Sequence, residues 1–252
     1  MTTAGKILEW FENFAPLDSA MDFDNVGLLV GDGNAPVASA LLALDITPSV
    51  VEEAERLGCE LIISHHPVIF SPLKRVDSRS VPYMLAQRGI AAVCMHTNLD
   101  LSESFGVNTC LAKAVGVREP QKSPLGECLF IGELEHAIGI AEFALTVKNA
   151  LGCEGLRYTN AKPTVRVVAV SSGAGGSEIY AAAEAGADVL VTGEIKHHEL
   201  NFANEAGVSV IDAGHFKSED IVISPLQKYL SAAFPDTKFT KSSTYSDRIK
   251  YI

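Results

Sequence analysis

Short, nearly continuous apolar runs recur along the chain, and each is followed by a cluster of polar residues. ALLALD at 40–45, LIIS at 61–64, VRVVAV at 165–170 and VLVT at 189–192 mostly lack the alternation of a half-buried strand. Runs this short and apolar predict strands buried on both faces. Between them lie stretches of helical composition. Pro48 to Leu57 has its proline where a first helical turn accepts one, and Ser177 to Ala185 is rich in alanine. Near the start, Ile7, Leu8, Trp10, Phe11 and Phe14 fit one face of a short helix. The middle, Glu119 to Lys162, contributes a strand-like CLFIGEL (128–134) and a helical AEFALTVKNALG (141–152). Its longest loop candidate precedes Pro163.

Strands that alternate with helices predict an α/β fold with mostly parallel or mixed sheets covered by helices. The unit occurs twice. EEAERLGCELIISHH (52–66) overlays AAEAGADVLVTGE (182–194) when Gly58 is set against Gly186. Ser64 then falls on Thr192, and His66 on Glu194. QRGIAAVCMH (87–96) resembles EAGVSVIDAGH (205–215), with a glycine before each apolar run and a histidine after it. The expected organisation is two duplicated units, 1–120 and 121–252, with the C-terminal part of the second packing back on the first. In such sheets function gathers at the carboxyl ends of the strands.

Composition narrows the classes. The net charge of −11 removes the broad basic footprint of a nucleic-acid-binding protein, so nucleic acid is a disfavoured partner. The five cysteines, Cys59, Cys94, Cys110, Cys128 and Cys153, are odd in number and form no CxxC pair. That argues for reduced thiols, and against a disulfide framework or a thiolate zinc site. No apolar run approaches the roughly 20 residues that span a bilayer. The first residues lack a basic-then-apolar signal pattern, and the expectation is a cytoplasmic protein with no membrane partner. A mean hydropathy of +0.18 points to doubly buried strands or to surface covered in an oligomer.

Six of the seven histidines cluster just after apolar runs. His65-His66-Pro67 follows LIIS, and adjacent residues leaving a strand point in different directions. Two such imidazoles suit two neighbouring metal ions better than one. After the next run, His96 and Asp100 stand four apart. Asp100 is a hard oxygen ligand or a helix cap, and His96 is either a ligand or a partner that orients one. His215 and Glu219 share one face if a helix starts near His215. Three histidines, one aspartate and one glutamate form a mixed nitrogen–oxygen set. It fits two divalent transition-metal ions per chain, with Zn, Fe, Mn, Co and Ni all open. Five side chains leave coordination positions for water, and paired ions about 3.5–4 Å apart activate a water for hydrolysis. Thr192, Glu194 and His197, in TGEIKHH, are candidate polar lining or acid–base groups near the metals. SSGAGGS (171–177) could hold an anion on backbone N–H groups or serve as a plain tight turn.

These motifs, DNVGLLVGD (24–32), SHHP (64–67), HTNLD (96–100), the SSGAGG turn, TGEIKHHE (192–199) and DAGHFKSE (212–219), occur in an order that resembles the NIF-three-like family, the GTP cyclohydrolase 1 type 2 homologues or dinuclear-metal-centre proteins. The resemblance spans nearly the whole chain. One departure is Phe23, where the family usually has tryptophan. The resemblance implies a duplicated α/β fold with a metal cleft between the two halves. It implies metal ligands at His65, His66, Asp100, His215 and Glu219, a homo-hexameric ring, and the minimal form without a central inserted domain. Two functions fit. One is a metal-dependent hydrolase of a small substrate, with nucleotide-like molecules in range. The alternative is a non-enzymatic metal-binding regulator or scaffold ring with protein or nucleic-acid partners.

Overall fold

The structure, a computed structural model, describes residues 1–252. In chain order its strands are β1 Gly27–Val30, β2 Ser39–Ala43, β3 Leu61–Ser64, β4 Ala91–Cys94, β5 Arg118–Lys122, β6 Phe130–Gly139, β7 Arg157–Tyr158, β8 Thr164–Ser171, β9 Val189–Thr192, β10 Ser209–Asp212 and β11 Lys238–Lys241. They build one sheet in each of two compact units. The first unit comprises Met1–Leu99 and Ile223–Ser246; the second comprises Asp100–Val222 and Asp247–Ile252.

In the first unit the strand order is β1-β4-β3-β2-β11. The last four are parallel, and β1 runs antiparallel to β4. β3 and β4 are buried throughout, and β2 nearly so, which is why their sequences are apolar runs. The helix Pro48–Leu57 follows from local chemistry. The Thr47 hydroxyl accepts the Val50 N–H at 3.4 Å, Pro48 presets the first turn, and Gly58 stops the helix with φ 66°. Its inner face, Val50, Val51 and Ala54, packs with Leu41, Ile62 and Ala92. Truncating Ile62 to alanine in that core should cost about 2–5 kcal/mol. From the same helix the buried Glu53 carboxylate accepts hydrogen bonds from the hydroxyls of Ser242, Ser243 and Thr244 and from the Ser243 N–H. This fixes the chain just after β11.

The second unit has the order β5-β6-β8-β9-β10-β7. Its centre, β8-β9-β10, is parallel, and the outer pairings are antiparallel. Alternate residues of β8 serve opposite cores. Val168 and Val170 face a cluster with Phe130, Phe143 and Val147, while Ala169 joins Leu129, Ile179 and Leu190 on the other side. Helices cover both faces, and both faces therefore select apolar residues.

The duplication is visible in the register. Leu61 pairs Ala40 on one side and Ala91 on the other; Val189 pairs Val168 and Ser209 in the same way. Ser64 and Thr192 end equivalent central strands, as their sequence overlay requires. One detail shifts. Cys94 is equivalent to Asp212, so the position matching His96 is Gly214, and His215 lies one residue further on. Elsewhere, the helix expected over Ser177 to Ala185 is divided into a 3-10 turn at Gly175–Glu178 and a helix at Ile179–Glu184. The segment before Pro163 carries the short β7, and the long irregular stretch is 65–80 instead. No helix is long and apolar enough to cross a membrane.

Candidate functional site

The candidate residues lie at the carboxyl ends of the central strands or just past them. In the first unit, His65 and His66 leave β3 and His96 follows β4. Their rings lie against one another, with centroids 5.1–5.5 Å apart. One ring nitrogen from each lies within 4.8 Å of the other two.

Each imidazole is held by its Nδ1. His65 Nδ1 donates to the Met95 carbonyl at 2.9 Å. His66 Nδ1 lies 3.0 Å from Asp45 Oδ1, and His96 Nδ1 lies 2.9 Å from Asp24 Oδ1. A carbonyl or carboxylate oxygen can only accept, so Nδ1 carries the proton in all three rings. Nε2 is then the nitrogen with a lone pair to offer. This is how proteins orient metal-binding histidines. Asp24 itself is gripped. Burial opposes its charge, but hydrogen bonds from His96 and from the Thr97 hydroxyl and N–H hold its carboxyl well below the usual range. Asp45 accepts a second hydrogen bond, from the Tyr245 hydroxyl. Tyr245 follows the Ser242–Thr244 segment that Glu53 fixes. Phe70 stands edge-on to His96 at 6.3 Å and beside the exposed Phe23.

In the second unit a helix does begin at His215 and runs to Asp220. The i, i+4 spacing brings His215 Nε2 to 3.0 Å from Glu219 Oε2. Nδ1 of His215 faces Glu194 Oε1 at 2.7 Å. The hydrogen bond with Glu219 raises the His215 pKa to about 9, against a lesser opposing effect of burial and with further help from the charges of Glu219 and Glu194. Asp100 is buried, and its Oδ1 accepts from the Ser172 hydroxyl at 3.4 Å.

The first two residues of the glycine-rich turn after β8, Ser172 and Gly173, are tied down by side chains from other elements. The Ser172 N–H donates to Asn108 Oδ1 at 2.8 Å, and the Gly173 N–H donates to the Ser218 hydroxyl at 3.0 Å. Those N–H groups are therefore spent. Gly173 has φ +57°, and a Cβ built on it would lie 2.0 Å from Glu219 Oε1 and 3.2 Å from His215 Nε2. Glycine is present because the carboxylate occupies that space. Thr192 is fully buried beneath the turn, and its hydroxyl has no protein hydrogen-bond partner. His197 is exposed at the first turn of the helix His197–Ala206.

Sequence reasoning did not assign roles to Asp45, Asn108, Ser218 and Tyr245. Asp45 carried a usable signal, since it ends an apolar run as His65 nearly does. The others act from elements remote in sequence.

All five cysteines are unpaired, and burial raises the thiol pKa of each.

Fold and site together define a class: duplicated α/β proteins with histidine and carboxylate clusters at strand ends. A family model described as Duf34/NIF3 (NGG1p interacting factor 3) matches residues 2–248, and the chain belongs to that family. A Clostridium perfringens protein named GTP cyclohydrolase 1 type 2 homolog is 31% identical, over 98% of each chain. Among solved structures, a Staphylococcus aureus hypothetical protein superposes with a TM-score of 0.91 at 27% identity, covering 99% of each chain. Reduced HcgD from Methanocaldococcus jannaschii gives 0.83 at 29% identity, covering 96% of this chain and 98% of its own.

Proposed function

We propose that the protein is a metal-dependent hydrolase of a small substrate, holding two divalent transition-metal ions per chain on His65, His66, Asp100, His215 and Glu219. The observation that carries this reading is the anchoring of the histidines. His65 and His66 are each tied at Nδ1 to an oxygen acceptor, so Nε2 is the nitrogen each would offer a metal, and His96 beside them is held in the same way by Asp24. The second unit adds an imidazole and carboxylates, so the donors fit Zn, Fe, Mn, Co or Ni. When bound, such ions supply Lewis acidity to a carbonyl or phosphoryl oxygen. The chain's own residues do the rest: Asp24, Asp45 and Glu194 fix imidazole orientation, and Gly173 makes room for the Glu219 carboxylate. The name of the Clostridium relative is consistent with hydrolysis of a nucleotide-like molecule. With the family resemblance, the proposal extends to a homo-hexamer in the cytoplasm.

The second reading is a non-enzymatic metal-binding regulator or scaffold. It draws on the family's description as an interacting factor. Metal content per chain, measured after chelator-free purification of the wild type and of His66→Ala with Glu219→Ala, separates the readings when followed by a hydrolysis screen. About two ions in the wild type, lost in the variant, with turnover that disappears alongside them, is the result expected. Metal without turnover on nucleotides, phosphoesters and amides would favour the regulator, and no metal after reconstitution would sink both.

A further inference from the structure

Two phenylalanines stand open at the rim of the first unit's histidine cluster. Phe23 is 61% exposed and Phe70 50%, with ring centroids 6.2 Å apart. Phe70 in turn stands edge-on to His96, whose ring lies against those of His65 and His66. One exposed apolar side chain is ordinary, but two in contact beside a ligand cluster mark a surface with something to bind.

Local structure holds both rings in place. Phe23 lies in the turn that the Asp24 N–H closes onto the Met21 carbonyl at 2.9 Å. Both ends of that turn are pinned on Thr97. The Met21 N–H donates to the Thr97 hydroxyl at 3.0 Å, and that hydroxyl donates to Asp24 Oδ2 at 2.6 Å. Asn25 then reaches the other segment, donating from Nδ2 to the Ile69 carbonyl at 2.5 Å, one residue before Phe70.

The polar neighbours are thus consumed in positioning, Asp24 on His96 as well as on Thr97. Charged side chains elsewhere in the two segments, Asp22 in one and Lys74, Arg75, Asp77 and Arg79 in the other, are of both signs and select neither an anion nor a cation. The surface that the two rings offer is hydrocarbon. With centroids 6.3 Å from Phe70 to His96 and 5.5 Å from His96 to His66, a molecule of several carbons anchored at the imidazoles reaches it.

We propose that Phe23 and Phe70 form an apolar platform that receives an uncharged hydrocarbon group of the molecule bound at the metals, so that the site selects substrates carrying such a group near the reacting centre. The inference rests on the metal-dependent reading above and adds a substrate chemistry to it.

The test uses the full chain loaded with cobalt, whose visible spectrum reports a ligand entering its coordination shell. The probes are acetohydroxamate and hexanohydroxamate, which bind metals alike and differ in chain length. Covering about half of the added chain should favour hexanohydroxamate about tenfold. Phe70→Ala should cut that preference to about twofold or less, and Phe23→Ala should reduce it in part. Phe70→Leu, which keeps an apolar side chain, should retain most of it. Thermal melting and sedimentation of the same samples report folding and assembly. Equal binding of the two probes by the wild type, or a preference that survives both alanine variants, would overturn the proposal. Alanine variants that keep the preference but change the assembly state would assign the rings to a subunit contact instead. Metal-loaded protein without the preference ends this inference alone. A preference with no turnover of nucleotides, phosphoesters or amides ends the hydrolase reading alone, and protein that takes up no metal ends both.

Discussion

Nδ1 of His215 lies 2.7 Å from Oε1 of Glu194, a residue 21 positions earlier that leaves the neighbouring strand. The pair fixes the direction in which the other ring nitrogen points. Partners of this kind typically change metal affinity by about 10–100-fold when removed. Glu194→Ala is therefore expected to weaken metal binding by that order, and Glu194→Gln, which keeps an acceptor but loses the charge, by less. Competition against a chelator of known affinity measures it. Equal affinities for the two variants and the wild type would reduce the pair to a surface contact.

Gly173 makes a separate demand. A methyl group there would meet Glu219 Oε1 at 2.0 Å, in a backbone conformation that disfavours any side chain. Gly173→Ala is expected to cost at least about 1 kcal/mol in stability and to displace the Glu219 carboxylate. Metal content and melting temperature should fall together. A fall in melting temperature with full metal content would show that the turn matters to the fold alone.

Asp45 ties Tyr245 to His66. Asp45→Asn keeps the side chain's shape and removes its charge, and should loosen His66 by about tenfold in metal affinity. Tyr245→Phe should have a smaller effect in a cobalt-substituted sample, where a change in the visible spectrum reports ligand geometry directly. Spectra identical to wild type in both variants would argue against any orienting role.

Glu53 supplies a pH dependence. Burial works against its charge, but hydrogen bonds from Ser242, Ser243 and Thr244 outweigh that, and its pKa falls from 4.5 to about 2. A carboxyl with a depressed folded-state pKa stabilises the protein above its unfolded value, and that contribution disappears as pH falls through the folded value. Wild type should therefore lose stability between about pH 4.5 and pH 2. Glu53→Gln should be less stable at neutral pH and flatter across that window, as read by chemical denaturation at each pH.

Much of this was legible in the sequence because buried parallel strands announce themselves. LIIS and VLVT have the strand boundaries the apolar runs predict, and Pro48–Leu57 is the predicted helix, since proline, threonine and glycine act locally there. The histidine clusters were readable for the same reason, as polar residues abruptly ending apolar runs. What stayed hidden depends on distance. Asn108 meets Ser172 across 64 residues, and Tyr245 meets Asp45 across 200, so no periodicity connects them. The one-residue offset of His215 from His96 is already present in the lengths of the two overlaid segments, and strand pairing locates the extra residue after β10.

The Tyr251 ring rests on Gly155, where an added Cβ would lie 2.6 Å from its Cδ1, and this bears on how the protein should be handled at the bench. Ile252, one residue beyond that ring, is fully exposed, so a fluorescent reporter attached to it would sit beside the aromatic surface and perturb what it reports.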